Sequence, residues 1–295
     1  MPRLSRPVVA GAISTLMCAA AGSGVAAGPD PAAIERGEYV LHAAGCYSCH
    51  TDAENKGKPL AGGRALATPF GTFYSPNITP DPTHGIGAWT DEEFVRALRS
   101  GISPEGAHYF PAFPYTSYTG MADRDMLDLK AYLFAQQPVA RPNKAHDLSF
   151  PFGFRPLVRV WKLVFFELGV FAPDPAKDDE WNRGAYLVRH LGHCGECHTP
   201  RNVLGARERD RELAGNPEGP EGKKVPNITP HREDGIGDWS ESDITFLLKA
   251  GFLPDGDFVA GLMSEVVDDG TRFLTDGDRA AIARYLMSLP RLPGP

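Results

Sequence analysis

Cys46-Tyr47-Ser48-Cys49-His50 recurs as Cys194-Gly195-Glu196-Cys197-His198, and the reading of this pair decides the fold. The pair lies inside a longer repeat. Upstream, Arg36-Gly37-x-Tyr39 returns as Arg183-Gly184-x-Tyr186. Downstream, Pro76-Asn77-Ile78-Thr79-Pro80 returns as Pro226-Asn227-Ile228-Thr229-Pro230. Gly85-Ile86-Gly87-x-Trp89 returns as Gly235-Ile236-Gly237-x-Trp239, and Ala131-Tyr132-Leu133 as Arg284-Tyr285-Leu286. The offset drifts only from 147 to 153 along the series. One unit is therefore written twice. Domains are expected at residues 28–140 and 176–295, joined by a Pro- and aromatic-rich linker at 141–175.

Each unit reads as all-α with long turns. Ile34 to Ala44 is a first helix ending on Gly45. Thr90-x-x-Glu93 and Ser240-x-x-Asp243 are capping boxes for second helices that end at Gly101 and Gly251. Third helices open at Asp123 and at Thr275-x-x-Asp278, with Leu129 and Leu133, and Ile282 and Leu286, on their inner faces. Few strand signals stand between them. Three short helices make a thin core for each unit.

The repeated pentapeptide supplies what is missing. Cys-x-x-Cys-His is the attachment signature of c-type haem. Two thiols one helical turn apart can add to the two vinyl groups of one porphyrin, and the adjacent histidine can bind its iron. The expected cofactors are two covalently bound haem c groups, on Cys46, Cys49 and His50 and on Cys194, Cys197 and His198. A structural zinc held by four thiolates leaves both histidines unexplained. Two disulfides, each across two intervening residues, close loops too small to stabilise much. A thioredoxin-like motif needs a βαβ context, which is absent.

Each iron has a second axial position. Electron-transfer cytochromes typically fill it with Met, whose thioether raises the potential. Met263, in Gly261-Leu262-Met263-Ser264-Glu265, lies twelve residues past Gly251 and is the expected iron ligand of the second unit. Twelve past Gly101 is Phe113, which cannot ligate. In the first unit the alternatives are Met121, His108 or an open position, and Met121 is the choice. Trp89, Trp239, Asn77 and Asn227 are either donors to haem propionates or residues of core and turn. Tyr39, Tyr186, Tyr132 and Tyr285 lie on helix faces and read as core.

At the N-terminus, Arg3 and Arg6, the apolar stretch Val8–Ala21 and Val25-Ala26-Ala27 make up a secretory signal peptide at residues 1–27. Its removal leaves 28 Lys and Arg against 37 Asp and Glu, a formal charge of −9. An acidic chain argues against nucleic acid as a partner. No later segment reads as a membrane span, because Arg159, Lys162 and Glu167 interrupt the apolar run from Val158 to Phe171. Leu157 to Phe171 reads instead as an amphipathic helix that docks on a partner, lies on a membrane surface, or packs between the two units; the last reading is preferred. The expected location is the periplasm.

Cys-x-x-Cys-His twice, the PNITP…GIG-x-W segments, and the stretches FPYTSYTGM…LKAYL and GLMSEVV…IARYL together resemble tandem class I cytochrome c proteins. The likeness is greatest to the cytochrome c subunits of bacterial periplasmic dehydrogenases of the alcohol and gluconate type. The resemblance implies relay of electrons from a dehydrogenase partner to a quinone-linked acceptor or another cytochrome. It also implies His/Met ligation through His50, His198 and Met263. Those subunits commonly carry three haems, whereas two motifs stand here, and they tend to read MPY where this chain has Phe113-Pro114-Tyr115. The reading from a different class is a diheme redox enzyme, a peroxidase or thiosulfate dehydrogenase, with an open or displaceable ligand in the first unit.

Overall fold

Helix α1 (Pro31–Ala43) starts at Asp30, whose side chain accepts the Ala32 N–H, and Pro31 fills a position that needs no amide donor. Gly45, in the left-handed region at φ 61°, then turns the chain directly into the one-turn helix α2 (Cys46–His50). The computed structural model describes Pro2 and residues 30–295, so the expected signal peptide, apart from Pro2, lies outside the described residues. A hairpin of β1 (Ala65–Thr68) and β2 (Gly71–Tyr74) follows. A two-residue strand, β3 (Asp147–Leu148), completes an antiparallel sheet in the order β1-β2-β3. The fold is therefore mostly helical with a small sheet, rather than all-α. Strands of two to four residues are too short to show a period-two pattern.

Helix α3 (Asp91–Ser100) opens on the Thr90–Glu93 capping box and closes on Gly101 at φ 59°. After it come the single turn α4 (Tyr115–Tyr118), α5 (Asp123–Phe134) and α6 (Pro156–Phe165). Helix α7 (Asp179–Tyr186) runs on through a wider turn, Leu187–Leu191, in which the Gly192 N–H reaches back five residues to the Leu187 carbonyl at 2.6 Å. The short α8 (Gly195–His198) follows. Helix α9 (Glu241–Ala250) carries the Ser240–Asp243 capping box and ends on Gly251 at φ 75°. Then come α10 (Leu262–Asp269) and α11 (Asp276–Met287), the latter capped by Thr275.

Two helix crossings organise the core: α1 on α5, and α7 on α11. A Cβ on Gly37 would stand 1.9 Å from the Asp128 carbonyl oxygen, and one on Gly184 would stand 2.0 Å from that of Ala281. Only glycine allows this approach. Beside the first crossing, Arg36 binds both oxygens of Asp128 at 2.6 and 2.9 Å; beside the second, Arg183 does the same to Asp278 at 2.9 and 2.6 Å. Leu41, Met126, Leu129 and Leu133 are buried with Leu187, Leu191, Ile282 and Leu286 in one continuous cluster.

The linker helix stops at Phe165, short of the expected Phe171, because Phe166 is already extended at φ −105° and ψ 127°. It touches both halves, but it buries only Val158 and Lys162 and leaves Val160, Leu163 and Val164 exposed. Lys162 donates to the Ser100 carbonyl and Phe166 sets its ring edge-on to Tyr115, while the Trp161 indole donates to the Leu204 carbonyl at 2.9 Å. Among the described residues no helix is long and apolar enough to cross a membrane.

An alanine in place of glycine ordinarily favours a helix by about 1 kcal/mol. At these crossings the sign reverses: Gly37→Ala and Gly184→Ala each cost about 3 kcal/mol through overpacking. Thermal melts of the two variants check this, and a Tm at or above that of the parent contradicts it.

Candidate functional site

Because α2 begins directly after Gly45, Cys46, Cys49 and His50 share one turn at the end of α1. In the second half α8 carries Cys197 and His198, with Cys194 at its N-cap. The same hydrogen bonds hold both histidines. His50 Nδ1 lies 2.8 Å from the Pro76 carbonyl oxygen, and His198 Nδ1 lies 2.8 Å from that of Pro226. A carbonyl only accepts, so each imidazole carries its proton on Nδ1 and leaves the Nε2 lone pair as a ligand. Burial holds both histidines below the ordinary imidazole value, so both are neutral at pH 7. The backbone N–H groups of Gly62 and Gly215 donate to the His50 and His198 carbonyls, each at 2.8 Å. Leu60 N–H donates to Thr51 Oγ1 at 3.1 Å and Leu213 N–H to Thr199 Oγ1 at 3.0 Å, closing the loop below each histidine.

Burial pushes the Cys46 and Cys194 thiols up to about 12 and that of Cys197 to about 11, and raises Cys49 as well. All four are free thiols, protonated at neutral pH. Addition across a vinyl group consumes an S–H bond, so this state suits thioether formation. A zinc site needs thiolates. Among the described residues no three His, Cys, Asp or Glu side chains converge on a metal-sized site. The donor set at both motifs fits a covalently held haem: two thiols and one imidazole nitrogen with its lone pair free.

The remaining candidates fall differently. Met263 sits in the first turn of α10, half-buried against the core, where the sequence suggested a loop. Met121 is fully buried immediately before α5, and its carbonyl accepts from Arg99 Nη2 at 2.7 Å. Phe113 packs edge-on to Tyr109, Tyr115 and Tyr118. His108 is placed with α6: its carbonyl accepts from Arg155 Nη1 at 3.2 Å, and burial together with the Lys162 and Arg159 charges lowers its imidazole. Asn77 gives its amide to the Val139 and Arg141 carbonyls, and Asn227 gives its amide to Leu292. Their side-chain oxygens accept the Thr79 and Thr229 N–H at 2.9 and 2.8 Å, so each asparagine also closes a local turn. Trp89 and Trp239 lie half-buried against the core.

Two of the tyrosines read as core do something further. Tyr39 Oη donates to Asp278 Oδ2 at 2.5 Å and accepts the Thr275 N–H at 3.2 Å, joining α1 to α11. Tyr186 Oη donates to Asp125 Oδ2 at 2.6 Å and accepts the Ala122 N–H at 3.0 Å, joining α7 to α5. The two clasps are reciprocal. Glu196, between the second pair of cysteines, accepts from Thr116 and Ser117 at 2.8 Å each and from Arg201 at 2.6 Å. Burial alone would raise this carboxyl, but Arg207 and Arg201 outweigh it and bring it down to about 2. No short-range signal marks the two clasps or the Thr116 and Ser117 bonds to Glu196, since they join residues from opposite halves of the chain.

The cytochrome c family profile matches residues 34–136. A protein named "Diheme cytochrome c-type" from Cereibacter sphaeroides is 48% identical over 262 residues, covering 87% of this chain and 86% of that protein. The fructose dehydrogenase cytochrome subunit of Gluconobacter japonicus is 42% identical over 298 residues, 98% of this chain and 60% of the relative. The alcohol dehydrogenase (quinone) cytochrome c subunit of Gluconacetobacter polyoxogenes is 41% identical over 283 residues, 92% of this chain and 60% of the relative. The chain thus spans about 60% of the length of these two dehydrogenase subunits.

Burial pushes the Asp278 carboxyl up, but the hydrogen bonds from Arg183 and Tyr39 outweigh it and hold the group below the usual carboxylate value. A depressed folded pKa means that this stabilisation is present above about pH 4 and is lost as pH falls through the lower folded value. Asp278→Asn is expected to cost about 3 kcal/mol, because it leaves Arg183 without its charge partner. It should also flatten the acid limb of the stability profile. Denaturant unfolding from pH 7 to pH 3 reads both effects, and a variant that keeps the parental acid limb contradicts the assignment.

Proposed function

The chain belongs to the cytochrome c family, and on that premise we propose that it is an exported diheme electron carrier of two tandem class I domains, residues 28–140 and 176–295. The observation that carries the reading is the matched pair of histidines: His50 and His198 are oriented by the same bond to a proline carbonyl, each next to a Cys-x-x-Cys pair. Cys46 and Cys49 would form thioethers to one haem, and Cys194 and Cys197 to the other. His50 and His198 would present Nε2 to the irons, and Met121 and Met263 would supply thioether sulfurs. When bound, each haem supplies a one-electron couple whose potential a thioether ligand raises. The protein's own work is to hold these donors, to exclude water around Met121 and to keep the two sites at a set spacing.

The names of the relatives support a dehydrogenase as electron donor, with another redox protein or a quinone-linked acceptor downstream. The acidic charge suits basic partner surfaces, because complementary fields raise encounter rates. The signal peptide read at residues 1–27 supports a periplasmic location.

Near-infrared magnetic circular dichroism of the fully oxidised protein reads the axial ligands of each ferric haem. Two His/Met haems are expected, with one reverting to another ligand set in Met121→Ala and the other in Met263→Ala. A high-spin or bis-His haem in the parent protein overturns the Met121 assignment.

A further inference from the structure

The two attachment turns touch each other. Ala44, two residues before Cys46, turns its carbonyl toward the second motif, where His193 directly precedes Cys194. His193 Nε2 lies 3.3 Å from the Ala44 carbonyl oxygen, which also accepts the Tyr118 hydroxyl at 2.7 Å. Since that oxygen only accepts, His193 carries its proton on Nε2. The residue is held in place from two sides. Its backbone is left-handed at φ 39°, and its ring stands edge-on to Tyr118 with centroids 5.4 Å apart. From Cys46 to Cys194 the connection runs through Gly45, the Ala44 carbonyl, one hydrogen bond and the imidazole of His193. Along the chain the same two cysteines are separated by more than a whole domain. The surrounding contacts keep this gap closed: Tyr39 on Asp278, Tyr186 on Asp125, Arg64 on Glu265, and His42 stacked on Phe273 at 3.8 Å. The attachment signature gives His193 no role.

We propose that His193 couples the two halves, and that electrons pass between them across the His193–Ala44 contact. This rests on the diheme reading above. The step moves one electron, oxidising one half by one equivalent and reducing the other by one. No covalent bond forms or breaks, and the Nε2 proton stays on His193. In service the electron comes from a dehydrogenase; in the test it comes from a reducing radical made by pulse radiolysis.

The holoprotein, given less than one electron per molecule, is followed at a wavelength where the two haems differ. In the parent protein the internal redistribution is expected to be first order and independent of protein concentration. His193→Phe keeps the ring and its contact with Tyr118 but removes the N–H. His193→Asn tolerates the left-handed backbone but is too short to reach Ala44. Both should slow the redistribution by about tenfold to 100-fold, the upper figure being the loss that a misplacement of about 1 Å can cause. Haem content, both midpoint potentials and Tm should stay near the parental values. Tyr118→Phe, which removes the other donor to Ala44, should leave the rate unchanged. An unchanged rate in either folded His193 variant overturns the proposal. So does a concentration-dependent redistribution in the parent, which needs no variant to observe. A haem content other than two overturns the diheme reading instead.

Discussion

Backbone meets backbone at Gly37 and Gly184, and the rest of the molecule is placed by those two crossings. Because α1 lies directly on α5, its C-terminal end is fixed, and α2 with its two cysteines and histidine begins only a left-handed glycine later. The proline carbonyl that orients His50 then comes from the loop ahead of α3, and that loop is tied back by Asn77. In the second half the same order of causes runs from Gly184 through the wide turn after α7 to His198 and Pro226. A methyl group at either crossing would move His50 or His198 without touching it.

The same helices also hold the halves together. Each presents a tyrosine to the other half's third helix, so that Tyr39 and Tyr186 form reciprocal clasps on Asp278 and Asp125. Asp278 serves both purposes, since it also pairs with Arg183 beside the α7–α11 crossing. A partly buried carboxylate with three donors is costly to leave unpaired, which makes the arrangement all or none. The adjoining Cys-x-x-Cys-His turns suit the proposed passage of electrons between the halves.

Much of this was legible in the sequence, for a physical reason that also sets its limit. The capping boxes at Thr90 and Ser240, the helix-ending Gly101 and Gly251 and the Cys-x-x-Cys-His motifs act over a few residues, so their spacing records their role. The strands β1 to β3 leave no mark in the sequence, because none spans enough residues to show alternation and β3 lies more than 70 residues beyond its partner β2. Helix α6 was read too long because the apolar residues continue past Phe165 while the backbone does not. The loop expected at Met263 is the first turn of α10. Tyr39 and Tyr186 were read as core, which is right for their rings and silent about their hydroxyls, since the acceptors lie 239 and 61 residues away.

On the proposed function, a covalently attached haem at its own Cys-x-x-Cys-His motif completes each half. Intact mass spectrometry of the protein purified from cells that mature c-type cytochromes, after acid denaturation, tests this most directly. The chain is expected to keep the mass of two haems, with Cys46→Ala/Cys49→Ala and Cys194→Ala/Cys197→Ala each keeping one. A denatured chain of bare polypeptide mass, its four cysteines free or paired as disulfides, would contradict it.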